Sequence, residues 1–245
     1  MIGESGIAMT GKQNGNTCDI LELEKPMKFS LIGITMMLLL TACGVAHAAG
    51  TCTLGVNQGL KAHVASSIIS EVERLGGKVE FDETLPDRPI TKIDLHSTQI
   101  TDADLAFLDT AKKDLRSLRY LDLRLTHVGD AGVFHLRHLT SLETLNLFRT
   151  NLSDQGLANI KHLTRLQTLL IGGTKVTDAG LIHLKGFTEL KKLSLFQTQV
   201  TDAGVQHLKV LSKLEQLLIS GTRITDAGTR ELQKALPKLK LSEQT

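Results

Sequence analysis

The chain has 245 residues, a formal net charge of +2, no tryptophan and a single tyrosine. This length allows one or two domains with a sizeable core, and the near-neutral charge gives no indication of nucleic acid or an acidic surface as a partner. Because large aromatic residues are scarce, the core must be built from many aliphatic layers, which favours a repeating architecture over an irregular globule.

The first 48 residues predict a leader followed by an export signal. Residues 1–26 carry four acidic and two basic side chains, whereas a signal peptide begins with positive charge, so we interpret this segment as a mis-assigned start or a disordered leader. Met27 and Lys28 then precede an uncharged run at residues 29–42. That run is shorter than the roughly 20 residues of a membrane-spanning helix, and we assign residues 27–48 to a signal peptide.

The apolar run ends in Leu40-Thr41-Ala42-Cys43, which resembles a bacterial lipobox. In such signals the cysteine is acylated and becomes the first mature residue, so the resemblance implies lipidation of Cys43 and a membrane-anchored lipoprotein of the periplasm or cell surface. An A-x-A site at residues 46–48 leaves ordinary secretion as the alternative. The remaining cysteines, Cys18 and Cys52, also lie in the first quarter of the chain, so we expect no disulfide or zinc framework further on.

Residues 49–89 are predicted to form a linker and an N-terminal helical cap. Between residues 56 and 75, apolar side chains recur at helical spacing, at Leu60, Val64, Ile68, Ile69 and Val72. The pair Gly76-Gly77 is expected to end this helix. An amphipathic helix in this position would cover the first copy of the repeat domain that follows.

From residue 90 to the C terminus the chain repeats every 24 residues, which makes residues 90–245 one repeat domain. The pattern L-x-x-L-x-L begins at Leu118, Leu142, Leu166, Leu190 and Leu214, and a first copy starting at Ile90 is four residues longer. Two leucines two positions apart predict a strand with one buried face, and the next pair, three apart, predicts a short helix. Strands stack about 4.8 Å apart and helices about 8–10 Å apart. The predicted fold class is therefore an α/β solenoid of six copies, curved, with parallel strands on the concave face and short helices on the convex face.

Three further columns of residues recur with the same period. A threonine follows each strand, and we expect its hydroxyl to be buried and bonded to loop backbone in its own and adjacent copies. A capping residue and then an aspartate precede each helix, where a carboxylate faces the positive end of the helix dipole. A glycine stands two positions after the aspartate in every copy except the first, where Asp104 takes its place.

The unit L-x-x-L-x-L-x-x-T-x-[VI]-T-D-A-G-L resembles a leucine-rich repeat of the short bacterial type abundant in planctomycete-like bacteria, over about residues 90–241. The segments Arg74–Glu83 and Leu232–Leu241 resemble the lead-in and the C-terminal finish of such proteins. The unit is also similar to the cysteine-containing repeats of eukaryotic ubiquitin-ligase adaptors, but threonine fills the cysteine column here and no F-box-like segment precedes it. The resemblance implies that the chain binds a partner and does not identify that partner.

The predicted concave wall is the default binding surface of such a solenoid. Its C-terminal half carries an apolar group, formed by Phe148, Leu170, Phe196 and Leu218, with Gly172 between the two phenylalanines. Its N-terminal half is polar and offers a place for a sugar or peptide, at Tyr120, Asp122, Arg124 and Arg149. Exposed aromatic side chains on a sheet indicate a contact site; the alternative is that each ring only covers its neighbouring glycine.

No catalytic, cofactor or metal motif is found. The column His135, His183 and His207 places histidines about 8–10 Å apart, whereas zinc requires nitrogens at about 2 Å, and one aspartate per copy makes a poor calcium cage. We therefore expect no cofactor, no metal and no enzymatic activity. The sequence predicts a non-catalytic protein that binds a protein or a cell-envelope ligand outside the cytoplasm, with a structural, self-associating envelope lipoprotein as the alternative.

Overall fold

The computed structural model describes residues 67–242, which lie within one compact unit, Cys52–Thr245. The predicted leader, the signal peptide with Cys43, and Cys52 lie outside the described residues. Within the described range, no helix is long and apolar enough to cross a membrane.

An eight-stranded sheet forms one wall of the domain, with its strands in sequence order. The strands are β1 (Lys78–Phe81), β2 (Ile90–Asp94), β3 (Tyr120–Asp122), β4 (Thr144–Asn146), β5 (Thr168–Leu170), β6 (Lys192–Ser194), β7 (Gln216–Leu218) and β8 (Lys240–Ser242). β1 and β2 pair antiparallel, and all later neighbours pair parallel. Parallel neighbours need a crossover after each strand, and here the crossovers are the predicted helical segments. The predicted α/β solenoid is confirmed.

The helices are short and follow the strands in alternation. They are α1 (residues 67–74), α2 (Phe107–Thr110), α3 (Asp130–Phe134), α4 (Asp154–Ile160), α5 (Asp178–Leu181), α6 (Asp202–Leu208) and α7 (Asp226–Ala235). Tighter 3-10 turns precede α2 and continue α3 and α5, at Ala103–Ala106, His135–His138 and Ile182–Gly186. These 3-10 turns extend the short helical segments, because the 24-residue period leaves little room for longer α-helices.

Leucine columns form the core between the strands and the helices. The central residue of each strand from β3 to β7 is fully buried, and it pairs in register with the same residue of the next copy, as Leu121 does with Leu145. Burial of one leucine side chain contributes roughly 1.5–3 kcal/mol, so stability comes from the stack rather than from any single copy. Phe187 is the exception to the aliphatic composition, since it is fully buried in a column where other copies have leucine.

The N-terminal end matches the sequence expectation as far as it is described. Ile68 and Val72 of α1 are buried in the common core. The helix ends at Arg74, and Gly76 follows with a φ of 83°, in the left-handed region. The amide of Gly77 donates to the Val72 carbonyl at 2.8 Å and that of Gly76 to the Glu73 carbonyl at 2.9 Å, the paired bonds of a glycine C-cap.

At the C-terminal end, Lys240–Ser242 forms the last strand, β8, which pairs in parallel with β7. Pro237 lies before this strand, so its missing N–H removes no bond from the ladder. Within the described residues β8 is an edge strand of the sheet.

A polar link between successive copies explains the recurring aspartate and the residue before it. One carboxylate oxygen of Asp178 accepts a hydrogen bond from the Thr201 amide at 2.8 Å, and the other accepts one from the Thr201 hydroxyl at 2.7 Å. That hydroxyl in turn accepts a bond from the Ala203 amide at 3.2 Å, which caps α6. The same arrangement joins three other pairs, Asp130 with Ser153, Asp154 with Thr177 and Asp202 with Thr225. The predicted capping is confirmed for these copies, and the bond to the next copy is an addition.

The hydrogen bonds between the aspartate of one copy and the capping residue of the next explain the recurring glycine. A Cβ atom on Gly180 would lie 2.3 Å from a carboxylate oxygen of Asp154 in the preceding copy, so a side chain has no room there. The first copy has no predecessor to supply that carboxylate. Asp104 supplies it from within the copy, since it accepts bonds from the amide and the hydroxyl of Thr101, both at 2.8 Å.

The threonine column stabilises the turn after each strand. The Thr174 hydroxyl donates to the Ile171 carbonyl at 2.6 Å, and the other five copies repeat this bond. Each of these bonds lies within one copy, which is one part of the expectation. Among the described residues, the expected bond from the threonine hydroxyl to an adjacent copy is not found.

Candidate functional site

The strand face is the side of the sheet that points away from the helices. For β3 to β7, the first and third strand residues and the second residue after the strand point to this side, because side chains alternate along a strand. The positions predicted for partner binding lie on this face or at its border.

Phe148 and Phe196 form an aromatic pair on the strand face. Their ring centroids are 6.1 Å apart with an interplanar angle of 34°, although β5 separates their strands and two strand spacings amount to roughly 9–10 Å. Gly172 lies between them, and a Cβ atom there would come within 3.0 Å of the Cβ of Phe196. Phe196 therefore does cover this glycine, and the missing side chain also lets the two rings converge.

A groove of about 310 Å³ surrounds this pair. Its lining includes five of the eight residues predicted for partner binding, Arg124, Phe148, Leu170, Phe196 and Leu218, together with Asn146, Lys192, Ser194 and Ser220. Two of the lining residues are cationic and none is a carboxylate. The buried Ser220 hydroxyl oxygen has no hydrogen-bond partner among residues 67–242.

Arg149 extends the groove at its rim. Its guanidinium lies 5.2 Å from the centre of the Phe148 ring, and a Cβ atom on Gly173 would come within 2.7 Å of the Arg149 Cγ. The arginine backbone is left-handed, with a φ of 53°, a conformation that costs a non-glycine residue about 1–2 kcal/mol. The packing therefore holds this side chain beside the aromatic pair at some cost in backbone strain.

The polar half of the face needs one correction. Asp122 was predicted to be exposed, but only 1% of its surface is accessible. Its carboxylate accepts hydrogen bonds from the Tyr120 hydroxyl at 3.1 Å, the Asn146 amide group at 3.2 Å and the Arg124 amide at 3.0 Å. Asp122 thus positions its neighbours and offers no surface of its own. Asn146 and Ser194 in the corresponding strand positions are also buried.

Tyr120 is also engaged by its own protein. The Lys92 ammonium lies 4.9 Å from the centre of its ring, and that lysine is paired with Glu80 at 2.8 Å. Burial, and after it the charge of Asp122, raises the pKa of Tyr120, while the hydrogen bond to Glu80 raises the pKa of Lys92. The charges of Lys92 and Asp122 are therefore engaged within the protein, since Lys92 is paired with Glu80 and the Arg124 Nε lies 3.5 Å from Asp122.

The histidine column lies on the helix side. His135 Nδ1 is 2.6 Å from Asp109, which also contacts Arg137 at 3.0 Å and His138 at 3.4 Å. Burial alone would raise the pKa of Asp109, but the His135 hydrogen bond and these positive groups lower it overall. Within the described part of the chain, no three histidine, cysteine, aspartate or glutamate side chains are grouped as metal ligands.

Comparisons with known proteins give one family-model match and similarities to solved structures. The family model described as "Leucine Rich repeat" matches residues 114–136 and 138–161. Among solved structures the chain is similar to internalin C2 of Listeria monocytogenes, at 22% identity and a TM-score of 0.48, covering 62% of this chain and 70% of that one. It is also similar to the internalin InlF of the same organism, at 15% identity and a TM-score of 0.44, covering 74% of this chain and 54% of that one, so it spans about half of that protein. No curated protein matches the sequence.

Proposed function

We propose that this chain, a leucine-rich repeat protein by its family match and its repeating fold, binds a segment of another protein in the strand-face groove and has no catalytic role. The observation that carries the proposal is the aromatic pair, Phe148 with Phe196, half-buried on an otherwise open sheet face. Apolar surface at the floor of a groove gains free energy when a partner removes it from water, and aromatic side chains dominate such contacts.

The lining of the groove favours a particular kind of segment. Phe148, Leu170, Phe196 and Leu218 offer an apolar floor. Lys192 adds a positive charge, and Arg124, also in the lining, is paired with the buried Asp122 carboxylate at 3.5 Å. A segment with one or two large apolar residues beside an acidic residue would match both features.

The partner need not be identified for a selection experiment to test this function. A displayed random-peptide library would be selected on the full chain and counter-selected on the variant Phe148→Ala/Phe196→Ala. Phe134→Ala is the matched control, because Phe134 is 46% exposed and lies at the end of α3. We expect enrichment of peptides with apolar and acidic residues that bind the control like the wild type and bind the groove variant at least about tenfold more weakly, which corresponds to about 1.4 kcal/mol.

The same variants separate partner binding from the structural alternative. If the groove instead packs against a second copy of the chain, Phe148→Ala/Phe196→Ala changes the sedimentation behaviour of the protein and no groove-dependent peptide is recovered. Peptides that bind the wild type and the groove variant equally would contradict both assignments of this surface.

We further propose that the protein is exported and anchored through a lipid on Cys43. The support is the uncharged run at residues 29–42, which ends in Leu40-Thr41-Ala42 directly before Cys43, and these residues lie outside the described range. Labelling cells with a fatty-acid analogue should mark the wild-type protein and leave Cys43→Ala unmarked. A mature N terminus directly after Ala48 would instead support ordinary secretion.

A further inference from the structure

Positive charge is concentrated along one edge of the solenoid, where each copy returns from its helix to the next strand. We name the six return segments, residues 111–119, 137–143, 161–167, 185–191, 209–215 and 236–240, the basic edge. They carry thirteen lysine and arginine residues against four carboxylates. The chain's net charge of +2 conceals this segregation, because a column of aspartates occupies the turns that precede the helices.

The return segments lie next to one another. Backbone hydrogen bonds of 2.8 Å connect successive copies at the end of each segment, from the Glu143 amide to the Arg119 carbonyl through to the Lys240 amide and the Glu215 carbonyl. The positive side chains therefore form a row along the domain rather than isolated charges. Like charges in a row repel one another, so the arrangement does not stabilise the fold and instead creates a field that attracts an anionic surface.

Most of these charges have no carboxylate partner in the part of the chain that the structure describes. Four of the thirteen pair with a carboxylate, namely Arg119, Arg137, Lys209 and Lys213. Within residues 67–242 the other nine have no carboxylate within 4.0 Å, and all nine are exposed: Lys112, Lys113, Arg116, Lys161, Arg165, Lys185, Lys191, Lys238 and Lys240. Favourable interaction with helix C-termini can explain the basic residue directly after a helix, such as Lys161. It does not explain those deep in the loops, such as Arg116 and Arg165.

The first copy adds a recess to this edge. Its four additional residues fall between Leu108 and Leu115, since both leucines align with buried leucines of the next copy, and this stretch contains Lys112 and Lys113. With Arg116, His138, Thr140 and Ser141 they surround a space of about 430 Å³. Cationic and hydroxyl groups without any carboxylate in the lining fit a phosphate group.

We propose that the basic edge docks this protein onto an anionic lipid bilayer, with a headgroup phosphate in the recess beside Lys112, Lys113 and Arg116. Clusters of lysine and arginine are attracted to anionic leaflets. Nine of the thirteen basic residues are lysines, whose compact charges suit a surface of many similar headgroups. Single-stranded nucleic acid would need exposed aromatic residues for stacking. The six return segments contain one phenylalanine and no tyrosine or tryptophan, and this residue, Phe187, is fully buried. The proposal is independent of the groove.

Vesicle binding by the full chain tests this docking. The variant Lys112→Gln/Lys113→Gln/Arg116→Gln removes three charges from the edge, and Lys175→Gln/Arg223→Gln/Arg230→Gln removes three charges elsewhere. The wild type and both variants contain residues 29–42, so a difference in vesicle binding between the variants reports the effect of the basic edge alone. We expect the edge variant to bind phosphatidylglycerol-containing vesicles at least about tenfold more weakly than the control variant, and the difference to vanish at high salt.

Amide hydrogen exchange locates the contact. Phosphatidylglycerol vesicles should slow exchange at residues 111–119 and 137–143 of the wild type, and neutral phosphatidylcholine vesicles should not. Equal effects of both vesicle types, or equal weakening by the two triple variants, would overturn the proposal. So would protection by soluble polyphosphate or an acidic protein without any effect of vesicles, since the edge would then serve a soluble polyanion. Matching thermal midpoints of the two variants ensure that neither result reflects unfolding.

Discussion

The rings of Phe148 and Phe196 lie 6.1 Å apart between centroids across Gly172, although the two residues are separated by two full repeats in sequence. The pair exists because the intervening copy has a glycine where a side chain would otherwise stand between the rings. The aromatic pair is therefore a product of three consecutive copies and depends on the smallest residue among them.

The substitution Gly172→Ala should disrupt this arrangement. Its Cβ would lie 3.0 Å from both the Cβ and the carbonyl oxygen of Phe196 and 3.1 Å from the Ser194 hydroxyl, so the phenylalanine must shift. We expect the free energy of unfolding to fall by about 1–3 kcal/mol and peptide affinity at the groove to fall with it. Urea denaturation and titration with a selected peptide would measure both, and unchanged affinity would show that the aromatic pair is not the contact.

The substitution Arg149→Gly should change stability and peptide binding in opposite directions. Since the φ of Arg149 is 53°, glycine would relieve the left-handed strain, and Arg149→Gly should raise the free energy of unfolding by about 0.5–1 kcal/mol. The same substitution removes the guanidinium beside Phe148 and should weaken binding of an acidic peptide. A less stable protein, or one with unaltered affinity, would contradict the role given to this residue.

The link between copies can be measured as a coupling energy. In a double-mutant cycle of Asp178→Ala and Thr201→Val, we expect a coupling of about 1 kcal/mol, because each substitution removes the hydrogen bond from the Thr201 hydroxyl to the Asp178 carboxylate. Asp226→Ala is the control, since Asp226 accepts no hydrogen bond within the described residues and has only its helix-terminal role. That control should cost no more than about 0.5 kcal/mol; a cycle without coupling would mean that the copies are joined by the leucines alone.

Gly129 is the one position where the capping residue of copies two to six lacks a side chain. Its backbone, with φ of −120° and ψ of −157°, resembles that of Thr177 in the corresponding place, and a Cβ there would meet nothing closer than 3.5 Å. Gly129→Thr should therefore cap α3, bond to Asp102 and stabilise the protein by about 1 kcal/mol. Thermal unfolding checks the direction, and a lower midpoint would contradict it.

Acid should weaken the same polar link. Hydrogen bonds from the Thr225 side chain, and then from its amide, lower the pKa of Asp202, and the Thr101 amide and then its hydroxyl lower the pKa of Asp104. Because the folded-state pKa values lie below the ordinary value, these bonds stabilise the fold above that value and the contribution is lost as pH falls through the lowered pKa. The variant Asp104→Asn/Asp202→Asn should lose less stability than the wild type between about pH 7 and about pH 3. Identical losses would contradict the assignment.

Much of the fold could be predicted from the sequence, because each leucine column corresponds to one buried position that recurs in every copy of the stack. The apolar group at Phe148, Leu170, Phe196 and Leu218 was also predicted, since alternation along a strand identifies the outward positions. The burial of Asp122 was missed, because alternation does not reveal that Tyr120 and Asn146 cover its carboxylate. The bond between copies was missed for a similar reason, although Asp104 in place of the first glycine was a visible signal that the first copy lacks a predecessor.

The basic edge was not predicted from the sequence, for a different reason. A net charge near zero averages over faces that the fold separates, and the return segments were treated as loops without a common surface. Only the stacking of successive copies places residues such as Arg116 and Arg165 on one side.

Site-specific photo-crosslinking in the native host tests the central claim most directly, namely that the strand-face groove is where the protein engages its partner. A photoreactive phenylalanine analogue would replace Leu170 at the floor of the groove or, as a control, Ile182 on the helix side, where 44% of the residue is exposed. The account predicts a crosslinked protein adduct from position 170 that disappears in the Phe148→Ala/Phe196→Ala background, and none from position 182. An adduct from position 182 alone would contradict it.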